Sequence, residues 1–139
     1  MSFDPLFLDS AYVIALAQAT DQHHEKAATV AVQIAEQNTQ LITTRAVLLE
    51  IGSALARTKN RSRAVRLIDS LHASPLVQVV AVTEERAKQG WELFRQRPDK
   101  AWSWTDCISF IVMSERGLTQ ALTADQHFEQ AGFTALLCH

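Results

Sequence analysis

SWTDCISFIVMSERGLTQALTADQHFEQAGF, residues 103–133, is the stretch on which the fold turns. Residues 103–116 make an apolar run of helix length. Gly117 follows it, where a helix that closes through the left-handed conformation places its glycine. ALT (121–123) is short, apolar and bounded by polar residues, and reads as a buried strand. Residues 125–131 supply one or two helical turns, and Gly132 leads into a last strand, TALLC (134–138). Helix, strand, helix and strand in so short a span is the rhythm of a parallel sheet, because parallel neighbours need a crossover between them.

The rhythm extends back to the start of the chain. PLFLD (5–9) reads as a strand stopped by Asp9-Ser10, followed by a short helix over 11–19. His23 to Gln37 predicts a helix whose apolar residues Ala27, Val30, Ala31 and Ile34 recur at spacings of three and four. LIT (41–43) is a brief strand, and Thr43 or Thr44 can cap a helix running to about Thr58. Ser62 to His72 continues as a helix with Val65, Ile68 and Leu71 facing inward. Pro75 breaks the chain before VQVVAV (77–82), the clearest strand. Thr83 then opens a helix carrying Trp91 and Phe94 and ending near Pro98. The expected fold is α/β: a central, mostly parallel sheet of four to five strands with helices on both faces, in one domain over 1–139.

Composition narrows the class. Of 139 residues, 47% are apolar and 20% charged, which is a globular composition. No apolar run approaches the roughly 18 residues of a membrane span, and MSFDPLFLDS lacks the basic region of a signal peptide. Cys107 and Cys138 are too few for a disulfide scaffold or a four-cysteine zinc site, so a reducing cytoplasm is expected. Thirteen Lys and Arg against fifteen Asp and Glu give a net charge of −2. Any contact with nucleic acid must therefore come from a local basic patch.

In sheets of this kind, sites form beyond the carboxyl ends of the strands. Asp9 follows the first strand and Asp125 lies just after ALT. Either could simply cap a helix. Asp106 shares the face of Phe110 and Met113 on an apolar helix, where an unpartnered carboxylate is costly. A capping box with Ser103 is the structural alternative. Glu50 lies at the margin of a stripe made by Val47, Leu48, Ile51, Ala54 and Leu55, where a Glu often just snorkels. Converging, these four acids would repel one another and call for a divalent cation. An all-oxygen donor set selects Mg²⁺ or Mn²⁺ and suits attack of water on a phosphodiester.

LDSAYVIAL, LLEIGSAL, SWTDCISFIVMSERG and ALTADQHFEQAGF resemble, in order and spacing, the four blocks of the PIN-domain ribonucleases. The resemblance spans residues 6–137. It is strongest to the bacterial VapC-type toxins. It implies a three-layer α/β/α PIN-like fold and metal-dependent endonucleolytic cleavage of RNA, with Asp9, Glu50, Asp106 and Asp125 as the catalytic, metal-binding quartet. It further implies that Ser10 helps to position the attacking water and that Thr105 and Thr123 hydrogen-bond the site. A small antitoxin partner and a homodimer are implied as well.

Arg57, Lys59, Arg61, Arg63 and Arg66 form a basic run with no acid between Glu50 and Asp69, able to follow an RNA backbone or to be a solvated helix junction. Trp102 and Trp104 are expected to pack rather than to stack a base. The histidines show no zinc spacing with cysteine, and Cys107 reads as a buried core residue. Two other readings compete with the nuclease: a non-catalytic PIN-like module that binds RNA or protein, and a receiver-type phosphoacceptor. The second wants paired acids after the first strand and a late lysine, and the chain has neither.

Overall fold

The computed structural model describes residues 4–138, the side chain of Thr58 excepted. Thus Met1 to Phe3 and His139 lie outside the described residues. Five strands, β1 (Leu6–Leu8), β2 (Leu41–Thr44), β3 (Val77–Val80), β4 (Gln120–Leu122) and β5 (Thr134–Ala135), form one sheet in the order β3-β2-β1-β4-β5. Every pairing is parallel, with Phe7 between Ile42 and Ala121 at the centre. A strand buried on both faces needs to be apolar throughout, and all three residues of β1 are buried. Thr43 fits because its hydroxyl donates to the Leu8 carbonyl at 2.8 Å across the β1–β2 seam.

Helices fill the crossovers: α1 (Ser10–Ala17) and α2 (His24–Gln37), then α3 (Arg45–Ala54) and α4 (Thr58–Ala73), then α5 (Glu84–Gln96) and α6 (Trp104–Glu115), with the short α7 (Gln126–Gln130) between β4 and β5. The chain first builds outward from β1 to β3, then returns past β1 to place β4 on its other side. Right-handed crossovers in opposite directions put the two sets of helices on opposite faces. The reversal makes the carboxyl ends of β1 and β4 the switch point at which sheets of this kind form their crevices. Leu6, Phe7, Leu8, Val47, Ile51, Leu55, Met113, Leu122 and Phe128 form the heart of the core.

Several boundaries differ from those expected. The helix beginning after Thr44 ends at Ala54, and the next begins at Thr58 rather than Ser62. Thr44 is the cap, accepting from the Val47 N–H at 3.1 Å. Val65 is 53% exposed; the inward stripe of α4 is Ala64, Leu67, Ile68 and Leu71. Ala54 is exposed as well, so the buried stripe of α3 is Val47, Leu48 and Ile51, continued by Leu55. The last strand stops at Ala135, and Leu136–Cys138 is a 3₁₀ turn. Gly117 and Gly132 have positive φ, of 65° and 97°, as helix-terminating glycines do. Gly90 has another use: a Cβ there would lie 2.7 Å from the Ile108 side chain, so its bareness lets α5 and α6 approach closely.

Candidate active site

β1 ends at Leu8 and delivers Asp9 to the crevice. Asp9 occupies the N-cap position of α1, yet its side chain makes no capping hydrogen bond. It is only 3% exposed, and the Thr123 hydroxyl donates to its Oδ2 at 2.8 Å. Burial pushes its pKa up to about 7; the Thr123 bond opposes the rise, and the charges of Asp106 and Glu50 add to it. Asp9 thus feels two of the other three acids. Glu50, from the middle of α3, is half-buried and accepts a hydrogen bond from the Ser10 hydroxyl.

Asp106 does have the capping-box role. The Ser103 hydroxyl accepts from its N–H at 2.9 Å, and its Oδ2 accepts from the Ser103 N–H at 3.1 Å. Burial raises its pKa, the Ser103 bond opposing it and the Asp125 charge adding to it. Both bonds it accepts fall on Oδ2. Asp125 caps α7, accepting from the His127 N–H at 2.9 Å through Oδ1. Thr123 ties the two strand ends together, donating to Asp9 while accepting from the Asp125 N–H at 3.0 Å. Thr105 contributes no hydroxyl bond to these acids among the described residues; its carbonyl accepts from Ser109 within the helix.

The expectation from sequence passed over His127. Its Nδ1 lies 3.1 Å from Asp106 Oδ2 and 3.2 Å from Asp125 Oδ1. The three residues offer ligand atoms that all lie within 4.8 Å of one another. The visible signal was the Asp125-x-His127 spacing, which sets the imidazole beside the acid. Its reach to Asp106 is set by packing: Phe128 is fully buried, with its ring 5.0 Å from Phe110 of α6 and 6.2 Å from Phe7 of β1. That aromatic column holds α7 against both.

Among the described residues no lysine or arginine pairs with any of the four acids. Carboxylates 4.8 Å apart repel by up to about 3 kcal/mol at an effective dielectric near 20, less where solvent enters. A divalent cation fits this donor set: buried or half-buried oxygens with no lysine or arginine beside them among the described residues, and one imidazole.

The basic run stands elsewhere. Arg63 donates to the carbonyl of Ala17, the last residue of α1, and Arg61 Nε donates to the Ala56 carbonyl at 3.0 Å. Asp9 lies at the other end of α1, whose eight residues span about 12 Å. Two of these cations therefore serve the ends of helices, while Arg57 and Lys59 are exposed. Trp102 is buried edge-on against Phe110. Trp104 is 45% exposed and packs against Trp91, with its Nε1 donating to the Ala87 carbonyl at 2.9 Å. Cys107 is buried, as expected.

The PIN domain family model matches residues 6–134. The 23S rRNA-specific endonuclease VapC20 of Mycobacterium tuberculosis, in strains CDC 1551 and H37Rv, is 30% identical over 128 residues, 92% of this chain and 95% of that protein. The crystal structure of M. tuberculosis VapC20, described as a sarcin-ricin loop cleaving toxin, superposes with a TM-score of 0.82. It is 29% identical and covers 93% of this chain and 96% of its own. Sheet order, acid pocket and these likenesses agree: the chain belongs to the PIN-domain family, among its VapC-type toxins.

Proposed function

We propose that this protein is a Mg²⁺- or Mn²⁺-dependent endoribonuclease, one domain over 1–139, and the toxin of a type II toxin–antitoxin pair acting in the cytoplasm. The observation that carries the reading is Asp9. Among the described residues it is a buried carboxylate with no cationic side chain beside it and no capping bond to explain it, and it feels the charges of Asp106 and Glu50. A helix cap would not be built this way, and a phosphoacceptor would present the residue to solvent.

Asp9, Glu50, Asp106 and Asp125 would hold the cation. When bound, it supplies a lowered pKa for the attacking water and neutralises charge developing on the phosphate. The chain's own groups prepare the pocket. The Ser10 hydroxyl orients Glu50, and Thr123 fixes Asp9 and Asp125 with one hydroxyl. The box with Ser103 holds Asp106 by Oδ2. Such locked carboxylates meet the cation without reorganising, which is how supporting hydrogen bonds raise affinity.

RNA is the substrate class. At this identity the 23S rRNA cleaved by the mycobacterial relative is the first substrate to try. Arg57, Lys59, Arg61 and Arg63 would meet its backbone beyond the far end of α1. A small antitoxin and a second copy of the chain are the proposed partners.

The test is cleavage of purified rRNA by chelator-treated protein, with and without added Mg²⁺ or Mn²⁺, beside Asp106→Asn. Cleavage that needs the added ion and is lost in the variant supports the reading. RNA binding with no cleavage under any condition would make the chain a non-catalytic PIN-like module.

A further inference from the structure

Resting on the metal-dependent reading above, we infer that His127 bonds the cation directly through Nδ1, giving the pocket a mixed oxygen and nitrogen donor set that prefers Mn²⁺ to Mg²⁺. Neighbouring donors in an octahedral shell with bonds of about 2.2 Å are separated by about 3.1 Å, the bond length times the square root of two. Nδ1 stands 3.1 Å from Asp106 Oδ2 and 3.2 Å from Asp125 Oδ1, which are separations between adjacent ligands of one ion.

The surroundings suit that role. The backbone of His127 is fixed from both sides, by its N–H bond to Asp125 and by the buried ring of Phe128. Without a cation, Nδ1–H donates to the two carboxylates. With one, the Nδ1 lone pair faces the ion and the ring proton sits on Nε2, at a side chain 25% exposed to solvent. Mg²⁺ demands oxygen, whereas imidazole is a good donor to transition-metal dications. The histidine therefore adds affinity for Mn²⁺ and little for Mg²⁺.

The experiment uses the full chain, freed of metal by chelator, with Mn²⁺ as probe. Binding is followed by loss of the free-ion paramagnetic resonance spectrum, and the bound ion is examined by electron spin-echo envelope modulation. A directly bonded imidazole leaves ¹⁴N frequencies that an all-oxygen shell lacks. The expected result is ¹⁴N modulation in the wild type, its loss in His127→Ala, and Mn²⁺ affinity about tenfold weaker in that variant. Mg²⁺ affinity, measured by competition, should change far less. Bound Mn²⁺ with no nitrogen coupling in the wild type, or with coupling that survives His127→Ala, overturns the inference and leaves the metal-dependent reading standing. A wild type that binds no Mn²⁺ overturns both. If His127→Ala does not fold, His127→Asn takes its place, and the wild-type spectrum alone still decides whether nitrogen is bound.

Discussion

Asp9 and Asp99 are the same side chain in opposite circumstances. Asp99, in the turn after α5, is exposed and paired with Arg97, whose Nε and Nη2 donate to its two oxygens at 3.0 and 2.9 Å. That fork holds its pKa down at about 2. Asp9 is buried at the end of the central strand, with only neutral donors, the Thr123 hydroxyl and the Ser10 backbone, at its side chain and two acids near it, and burial pushes its pKa up to about 7. One carboxylate has its counter-charge built in. The other has no cationic side chain beside it among the described residues, and burial with acidic neighbours favours its protonated form.

Cleavage should separate the two most sharply. Asp9→Asn is expected to lower the RNA cleavage rate by at least about a hundredfold, since a neutral amide removes charge where the cation sits. Asp99→Asn should cleave as the wild type does. A rate assay on both breaks the comparison if Asp9→Asn stays active or Asp99→Asn fails.

Stability should move the other way. In chelator at pH 8, where Asp9 is ionised, Asp9→Asn should melt above the wild type by about 3–10 °C because one repelling charge has gone. Mg²⁺ should raise the wild-type melting temperature with the logarithm of its concentration, and do so less in Asp106→Asn, whose amide oxygen can keep the Ser103 cap. A variant that melts lower in both conditions, beside a wild type indifferent to Mg²⁺, would reduce Asp106 to its capping bond.

The pH dependence sharpens the contrast. The folded pKa of Asp9 lies above its ordinary 3.8, so its contribution to metal-free stability is largest below pH 3.8 and is lost as pH rises to about 7. The folded pKa of Asp99 is depressed, so its contribution is present above 3.8 and lost as pH falls toward 2, weakly because the pair is exposed. Chemical denaturation of the metal-free protein between pH 4 and 8 should show stability falling with pH, and that slope should shrink in Asp9→Asn. The smallest effect is reserved for the basic run. Changing Arg57, Lys59 and Arg61 to Ala together should lower the salt slope of RNA binding by no more than about three, and an unchanged slope would make the run a solvated junction.

Asp9, Asp106 and Asp125 stood out as candidates because each follows a strand or starts an apolar helix, whereas Glu50, in the middle of α3, stood out only at the margin of an apolar stripe. His127 did not, since its partner Asp106 is 21 positions away and only the Phe128 column brings them together. The break between α3 and α4 was hidden for a different reason. Residues 55–57 are Leu-Ala-Arg, with neither glycine nor proline to mark a stop, and the fully buried Leu55 is the C-cap of α3. Val65 was misassigned because Val65 and Ala64, at three and four residues before Ile68, both meet the same-face spacing, and it is Ala64 that is buried.

The strand order has one more consequence, for the time at which the pocket exists. Thr123 and Asp9 are joined across 114 positions of chain, and β1 and β4 are neighbours only after everything between them has been made. Closing so long a loop is slow and comes late in folding. A nascent chain through β3 holds Asp9 and Glu50 but neither Asp106 nor Asp125. A chain made only as far as β3 therefore carries half of the acidic quartet and lacks the strand that would stand beside β1 to complete it.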